Sequence, residues 1–261
     1  MRLGLIGCGN IGEFLLKAIN KDGLLQGGRI VSIYGRREES AAHLADKYGT
    51  QFYRDFGSFL DSNLDMVIEA ATIEAAKEYG CKVLEGGKDL VLSSIGVMAD
   101  DAFAERIREV SQQHHVNVFL PSGAIGGLDV LKSAKALNEL DAVSITTRKP
   151  PRALSSATSI DKETVIFEGS AAEAIKLFPR NMNVAIVLSL AGLGSEKTTV
   201  KMIADPEVVK NSHLIEATGS FGKLKLEVEN DPMPNNPKTS YLAALSVLAT
   251  LQNKDKTVHV G

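Results

Sequence analysis

Hydrophobic and polar positions along the first 120 residues follow two alternating patterns. Short, nearly uninterrupted apolar runs indicate buried strands, and longer segments with apolar residues three and four positions apart indicate helices packed on one face. The runs lie at residues 3–6, 29–34, 66–68, 89–93 and 116–120, and the helical segments at 11–19, 38–48, 73–85 and 100–114. Strands separated by helices predict βαβ units that build a parallel sheet.

Beyond residue 121 the pattern changes. Strand-like segments are longer and more polar on one face, at residues 142–148, 164–168, 198–203 and 224–228, and helical segments lie at 128–137, 171–177 and 183–193. One polar and one apolar face per strand predicts an open sheet with helices on a single side. A proline-rich segment at 230–237 precedes a last apolar helix at 241–251, which we expect to be buried.

A glycine-rich turn joins the first predicted strand to the first predicted helix. Gly7, Gly9 and Gly12 form a Gly-x-Gly-x-x-Gly in the strand–turn–helix context that dinucleotide binding requires. The first glycine permits a tight turn, the second lets the backbone approach a pyrophosphate, and the third lets the helix pack close to the strand. We interpret the turn, with Asn10 and Ile11, as cofactor-binding. The alternative is a glycine turn in an α/β domain that binds no ligand.

The two halves predict an α/β fold class, with an N-terminal Rossmann dinucleotide-binding domain and a second α+β domain on an open mixed sheet. We place the first domain at residues 1–120, joined by the C-terminal helix 238–261. The second domain, at 121–237, is expected to serve substrate binding and dimerisation.

The end of the second strand bears on the choice of dinucleotide. An NAD site has a carboxylate about 20 residues past the glycines, whereas an arginine there accommodates the 2′-phosphate of NADP. This chain has Gly35, Arg36 and Arg37 at that place and no acidic residue. The pattern favours NADP, and NAD stays open because an arginine can also lie over the adenine. In the alternative interpretation, the arginines belong to a solvated basic helix start, residues 36–39, with ordinary surface pairs.

Small residues follow the central strand at 66–68. Ala71 and Thr72 stand at its carboxyl end, where a dinucleotide crosses a parallel sheet, and we predict that both contact the cofactor. Tight packing between strand and helix is the alternative explanation for small residues at such a place.

Composition narrows the function classes. The chain has 261 residues, 44% of them hydrophobic and 23% charged, with a net charge of −3, which is typical of a globular protein without a nucleic-acid surface. No apolar stretch is long enough to span a bilayer, and the first strand begins too early for a signal peptide. The two cysteines lack metal-ligand spacing, so we expect reduced thiols, a cytoplasmic protein and no metal site.

His213 is the best candidate for a general acid or base. It follows Asn211 and Ser212 at the start of a segment with alternating apolar residues. A neutral imidazole can accept a proton near physiological pH. The alternative is a histidine with a purely structural role.

Further polar residues suit a charged substrate or a carboxamide. Arg148 and Lys149 concentrate positive charge at the end of a strand, which suits a carboxylate-bearing substrate or a solvated loop. Asn181 and Asn183 precede a helix. Asn183 can hydrogen-bond a carboxamide such as that of nicotinamide, and Asn181 either binds substrate or caps the helix.

Taken together, these segments resemble the L-aspartate dehydrogenase family. The matching segments lie in the expected order at 7–12, 121–127, 146–150, 178–184, 211–216 and 236–241. The resemblance implies oxidative deamination of L-aspartate to iminoaspartate or oxaloacetate and ammonia, with NAD or NADP as cofactor. It also implies a homodimer and a role in feeding NAD biosynthesis.

The resemblance also assigns roles to single residues. The family's catalytic histidine corresponds to His213, and its cofactor contacts correspond to the Ala124 backbone and to Asn183. The family often has an acidic residue where this chain has Gly35, so strict use of NAD is not implied. Two alternatives stay open: a reductase of the dihydrodipicolinate reductase or homoserine dehydrogenase type, and a non-catalytic NADP-sensing protein.

Overall fold

The structure is a computed structural model that describes residues 1–153, 160–179, 182–234 and 236–258. These residues divide into two compact units. The first contains residues 1–121 and the C-terminal helix from Ala244 onward, and the second contains residues 122–243. Within the described ranges, no helix has the length and apolar character needed to cross a membrane.

The first unit is built on a parallel sheet. Its strands are β1 (Arg2–Ile6), β2 (Arg29–Tyr34), β3 (Gln51–Tyr53), β4 (Met66–Glu69), β5 (Asp89–Leu92) and β6 (Val118–Phe119). They lie in the order β3-β2-β1-β4-β5-β6, and every pairing is parallel. The predicted Rossmann sheet is therefore confirmed. The strand order reverses between β1 and β4, and ligands of such sheets bind at the carboxyl ends of the strands beside that point.

Helices cover this sheet. They are α1 (Asn10–Leu16), which continues as a π-turn at Lys17–Lys21, α2 (Glu38–Tyr48), α3 (Phe56–Leu60), α4 (Ile73–Glu85) and α5 (Asp101–His114). Neighbouring residues of β4 point to different apolar clusters: Met66 and Ile68 belong to one cluster, and Val67 belongs to the other. The sheet is therefore buried on both faces, which explains the continuous apolar runs in the sequence.

The second unit is built on a mixed sheet. Its strands are β7 (Leu140–Lys149), β8 (Thr164–Ser170), β9 (Thr198–Ala204), β10 (Asn211–Gly219) and β11 (Gly222–Asn230), and its helices are α6 (Leu128–Lys135), α7 (Ala171–Leu177) and α8 (Asn183–Ala191). The order is β11-β10-β7-β9-β8, with β7 parallel to β9 and the other pairs antiparallel. The open mixed sheet predicted from the alternating polarity is confirmed.

The proline-rich segment contains a small antiparallel ribbon. β12 (Pro232–Met233) pairs with β13 (Asn236–Ser240). The chain then enters α9 (Tyr241–Asp255). Three side chains of this helix, Val247, Leu248 and Leu251, are buried in the apolar cluster of the first unit. The expected burial of the last helix is therefore confirmed for the side that carries these three residues. The opposite side is partly in water, since Leu245 is 37% exposed.

The burial of α9 predicts an asymmetric response to shortening its leucines. Leu251 is fully buried in the first unit, so Leu251→Ala should lower the free energy of unfolding by about 2–5 kcal/mol. Leu245→Ala, on the same helix, should cost less than about 1 kcal/mol because much of that side chain is already in water. Urea unfolding followed by circular dichroism compares the two. Equal losses would show that α9 does not belong to this core.

Candidate active site

Crowded backbone shapes the glycine turn after β1. Gly7 has a φ of +112°, and its N–H donates to the Tyr34 carbonyl at 2.9 Å. A Cβ on Gly7 would lie 2.6 Å from the Ala70 carbonyl oxygen, and a Cβ on Gly12 would lie 2.4 Å from the Gly7 carbonyl oxygen. Both contacts are with backbone that cannot give way, so β1, α1 and the end of β4 pack this closely only because side chains are missing.

Gly9 differs from the other two glycines because its side-chain position is empty. It caps α1 in an extended conformation, and a Cβ built there would meet nothing within 4 Å. No side chain caps the helix, whose first turn begins with Asn10 and Ile11. The first helical N–H groups are therefore accessible to an anion from outside, and a pyrophosphate fits this approach.

A groove of about 180 Å³ lies at the carboxyl ends of β1, β2 and β4. Its lining is formed by Ile6, Gly7, Cys8, Gly9, Tyr34, Gly35, Arg36, Arg37, Ala70, Ala71, Thr72, Ala75 and Tyr79. The structure thus brings together most of the residues that the sequence predicted for cofactor binding. Thr72 has a second role, because its hydroxyl accepts a hydrogen bond from the Ala75 N–H and caps α4.

The two arginines of the groove are exposed and have no carboxylate within ion-pair distance in the described part of the chain. Glu38, the nearest acidic residue along the chain, instead pairs with Arg54 at 3.1 Å. The surface ion pairs of the alternative interpretation are therefore not formed by Arg36 and Arg37 in the described part of the chain, and both side chains lie in water at the start of α2. Two unpaired guanidinium groups beside a phosphate-binding turn suit a second phosphate.

Glu69 is a site residue that the sequence reasoning missed. It ends β4, is only 1% exposed, and accepts hydrogen bonds from the Ala71 N–H (2.8 Å), the Ser94 N–H (3.0 Å) and the Ser94 hydroxyl (2.9 Å). Burial raises the pKa of this carboxyl, and the hydrogen bonds offset part of that rise. Glu69 thus ties the turn after β4, which lines the groove, to the turn after β5. The sequence signal that could have indicated this role is the acidic residue at the end of the apolar run 66–68.

His213 occupies a buried position in the second unit. It lies opposite Thr147 in the pairing of β10 with β7, and its Nδ1 is 2.9 Å from the Thr147 hydroxyl. Both residues are 3% exposed. Burial lowers the pKa of the imidazole to about 3, and the positive charge of Lys149 lowers it further in the same direction. The ring is therefore neutral at physiological pH, as a proton acceptor must be.

Arg148 and Lys149, the two cations predicted to bind substrate, lie in different environments. The Arg148 guanidinium contacts the carboxylates of Glu163 and Asp205, which raise its pKa. Lys149 shares a face of β7 with Thr147, because side chains alternate along a strand. Burial lowers the pKa of the Lys149 ammonium, which has no carboxylate partner among the described residues. Lys149 is thus the cation available beside His213.

Two further predicted residues, Ala124 and Asn183, belong to the second unit. Ala124 is buried, and its carbonyl accepts a hydrogen bond from the Asn230 side chain at 3.0 Å, while the Ser240 hydroxyl donates to the same asparagine at 2.6 Å. Asn183 is the exposed first residue of α8. Asn181 lies outside the described residues. No cluster of His, Cys, Asp and Glu suited to a metal ion occurs within the described ranges.

The first unit has a Rossmann sheet with an open phosphate-binding turn, and the second, α+β unit holds a buried neutral histidine. This combination is typical of dinucleotide-dependent oxidoreductases. Comparison with known families supports this class in both halves. Residues 7–121 match the NAD-binding domain of homoserine dehydrogenase, and residues 129–254 match the C-terminal domain of aspartate dehydrogenase.

Full-length relatives identify the family. An L-aspartate dehydrogenase from Methanosarcina barkeri is 39% identical, covering 100% of this chain and 99% of its own length. One from Nitrosopumilus maritimus is 39% identical over 96% of this chain and 95% of its own length. The crystal structure of aspartate dehydrogenase from Thermotoga maritima superposes with a TM-score of 0.82 at 34% identity, covering 100% of this chain and 99% of that one. The chain belongs to the L-aspartate dehydrogenase family.

The lowered pKa of His213 predicts a pH-dependent stability. The folded protein resists protonation of the ring down to about pH 3, whereas the unfolded chain protonates it near 6.5, so acid favours unfolding across this interval. Between pH 7 and pH 5 the wild type should lose about 2 kcal/mol more stability than His213→Gln. Chemical unfolding at both pH values measures the difference. His43→Gln, on the exposed side of α2, is the control, and a wild-type loss equal to that of His213→Gln would contradict the buried neutral ring.

Proposed function

We propose that the protein catalyses the NAD(P)-dependent oxidative deamination of L-aspartate to iminoaspartate, which water hydrolyses to oxaloacetate and ammonia. The observation that carries this proposal is the buried His213–Thr147 pair beside Lys149, in a chain whose full-length relatives are named L-aspartate dehydrogenases. The homodimer and the supply of NAD biosynthesis stay predictions from the resemblance.

The groove of the first unit binds the cofactor in this proposal. The turn from Gly7 to Gly12 and the uncapped start of α1 hold the pyrophosphate, and Ala71 and Thr72 border its path. Arg36 and Arg37 receive the adenosine end. When bound, the nicotinamide ring supplies the hydride acceptor, and we assign its carboxamide to Asn183 and the Ala124 backbone.

Lys149 binds a substrate carboxylate in this proposal. Its ammonium is partly removed from water and lacks an acidic partner in the described part of the chain, so an incoming carboxylate gains a strong charge-assisted hydrogen bond. Arg148 is less suited because Glu163 and Asp205 already neutralise its guanidinium. Asn181 stays a prediction for the second carboxylate.

His213 receives a proton. As the Cα–H electron pair leaves as hydride, the amino group must lose a proton so that the nitrogen lone pair can form the C=N bond. The Thr147 hydroxyl holds the ring through Nδ1 and leaves Nε2 for the substrate. A bound dicarboxylate raises the pKa of the ring, because nearby negative charge favours the imidazolium form. Substrate binding therefore strengthens the base that the empty protein keeps neutral. Once the ring has passed this proton to solvent, it can accept another from the water that attacks the imine.

The assay is the appearance of the reduced-nicotinamide absorbance band with L-aspartate and NADP⁺, then NAD⁺, at alkaline pH. We expect the band to grow with L-aspartate and not with L-glutamate or L-homoserine. His213→Ala should lower kcat by about 100-fold or more, since a positioned general base contributes at least that much. The dissociation constant of NADP⁺ should stay unchanged in this variant.

His43→Ala, which removes an exposed imidazole outside this site, is the matched control and should keep full turnover. Turnover with L-homoserine or dihydrodipicolinate in place of L-aspartate would move the protein to the reductase alternative. Cofactor binding without turnover of any amino acid would favour the sensor. Full activity of His213→Ala would remove the histidine from the mechanism.

A further inference from the structure

Two residues of the cofactor groove, Cys8 and Gly35, compete for one space. Ile6 of β1 lies opposite Tyr34 of β2, so the residues that follow these strands meet at the same edge of the sheet. A Cβ built on Gly35 would lie 2.7 Å from the Cys8 Sγ, and the next residue, Ala41, would be at an ordinary 3.7 Å. The thiol is therefore the tight contact that a side chain at position 35 would make.

The backbone itself does not require glycine at this place. Gly35 is not among the glycines with positive φ, so an L side chain is allowed by its conformation. Gly7, which has a φ of +112°, is the contrasting case in the same groove. A side chain at position 35 would therefore require the Cys8 Sγ, the end of a side chain in the glycine turn, to move.

Position 35 is where an acidic residue of an NAD site would hydrogen-bond the ribose hydroxyls and repel a 2′-phosphate. Here the groove offers no such carboxylate, and two unpaired arginines line it instead. Burial raises the pKa of the Cys8 thiol to about 11, so the sulfur carries no negative charge at physiological pH. Two acidic residues near Gly35 and the glycine turn in the chain are paired with cations: Glu38 with Arg54 and Glu13 with Lys47.

We propose that Cys8 and Gly35 together determine the specificity of the groove: the Cys8 side chain fills the space that an acidic side chain at position 35 would need, so the groove accepts the NAD-type carboxylate only when Cys8 is also shortened, and with this pair it selects NADP. The inference rests on the dinucleotide-binding role of the groove and is independent of the amino-acid substrate. It assigns selectivity to a pair of residues, of which one lies in the phosphate-binding turn and the other at the end of β2.

A double-mutant cycle tests the proposal through binding alone. Dissociation constants for NADP⁺ and NAD⁺ are measured by calorimetry, without amino acid, for the wild type, Cys8→Ala, Gly35→Asp and the double variant. We expect the wild type and Cys8→Ala to bind NADP⁺ at least about tenfold tighter than NAD⁺. Gly35→Asp alone should lose NADP⁺ affinity and gain little for NAD⁺. The double variant should bind NAD⁺ at least about fivefold tighter than Gly35→Asp.

A stability cycle covers the case in which Gly35→Asp does not fold. Gly35→Ala adds only the Cβ, so it should lower the melting temperature of the wild type and have a clearly smaller effect in the Cys8→Ala background. Cys81→Ala, which changes the thiol outside the groove, is the control and should alter neither affinity nor the Gly35→Ala effect.

Equal affinities of the wild type for NADP⁺ and NAD⁺ would overturn the proposal. So would NAD⁺ affinities, or Gly35→Ala effects on stability, that are the same with cysteine and with alanine at position 8. None of these measurements uses turnover, so failure of the proposed reaction on L-aspartate leaves their outcome unaffected.

Discussion

Backbone contact at the carboxyl edge of the first sheet is the constraint on which the cofactor groove depends. Gly7, Gly12 and the Ala70 carbonyl approach so closely that a single added Cβ would meet backbone at 2.6 Å or less. This contact sets the start of α1, and with it the direction of the helical N–H groups and the open space at Gly9. The residue between the first two glycines, Cys8, lies against the end of β2, where a Cβ on Gly35 would be 2.7 Å from its Sγ.

Buried polar groups hold the geometry around this constraint. Glu69 fixes two strand-end turns of the first unit with three hydrogen bonds, and His213 is fixed by Thr147 in the second. In both cases burial disfavours the charged form, so the carboxyl pKa rises and the imidazole pKa falls. The two groups differ in their partners: the Glu69 oxygens accept three hydrogen bonds, whereas among the described residues only Nδ1 of His213 has a hydrogen-bond partner.

The sequence predicted the features that depend on local periodicity and turn chemistry. Both sheets, the glycine turn and the helices α1, α2, α4, α5 and α9 follow from apolar spacing and from residue types, whereas the short helix α3 was not predicted. β3 was missed because Gln51–Tyr53 is a short, partly exposed strand, and the ribbon before α9 was hidden by prolines. Contacts set by strand register could not be predicted: Thr147 and His213 are 66 residues apart in the chain. The position of Cys8 against Gly35 depends on register in the same way.

The central claim is that a hydride passes from the Cα of L-aspartate to a dinucleotide bound at the glycine turn. The most direct measurement uses L-aspartate deuterated at Cα with NADP⁺ and follows the label by NMR of the reduced cofactor. The account predicts deuterium at C4 of the nicotinamide, one atom per oxaloacetate formed. Reduced cofactor without deuterium, or oxaloacetate formed without reduced cofactor, would contradict it.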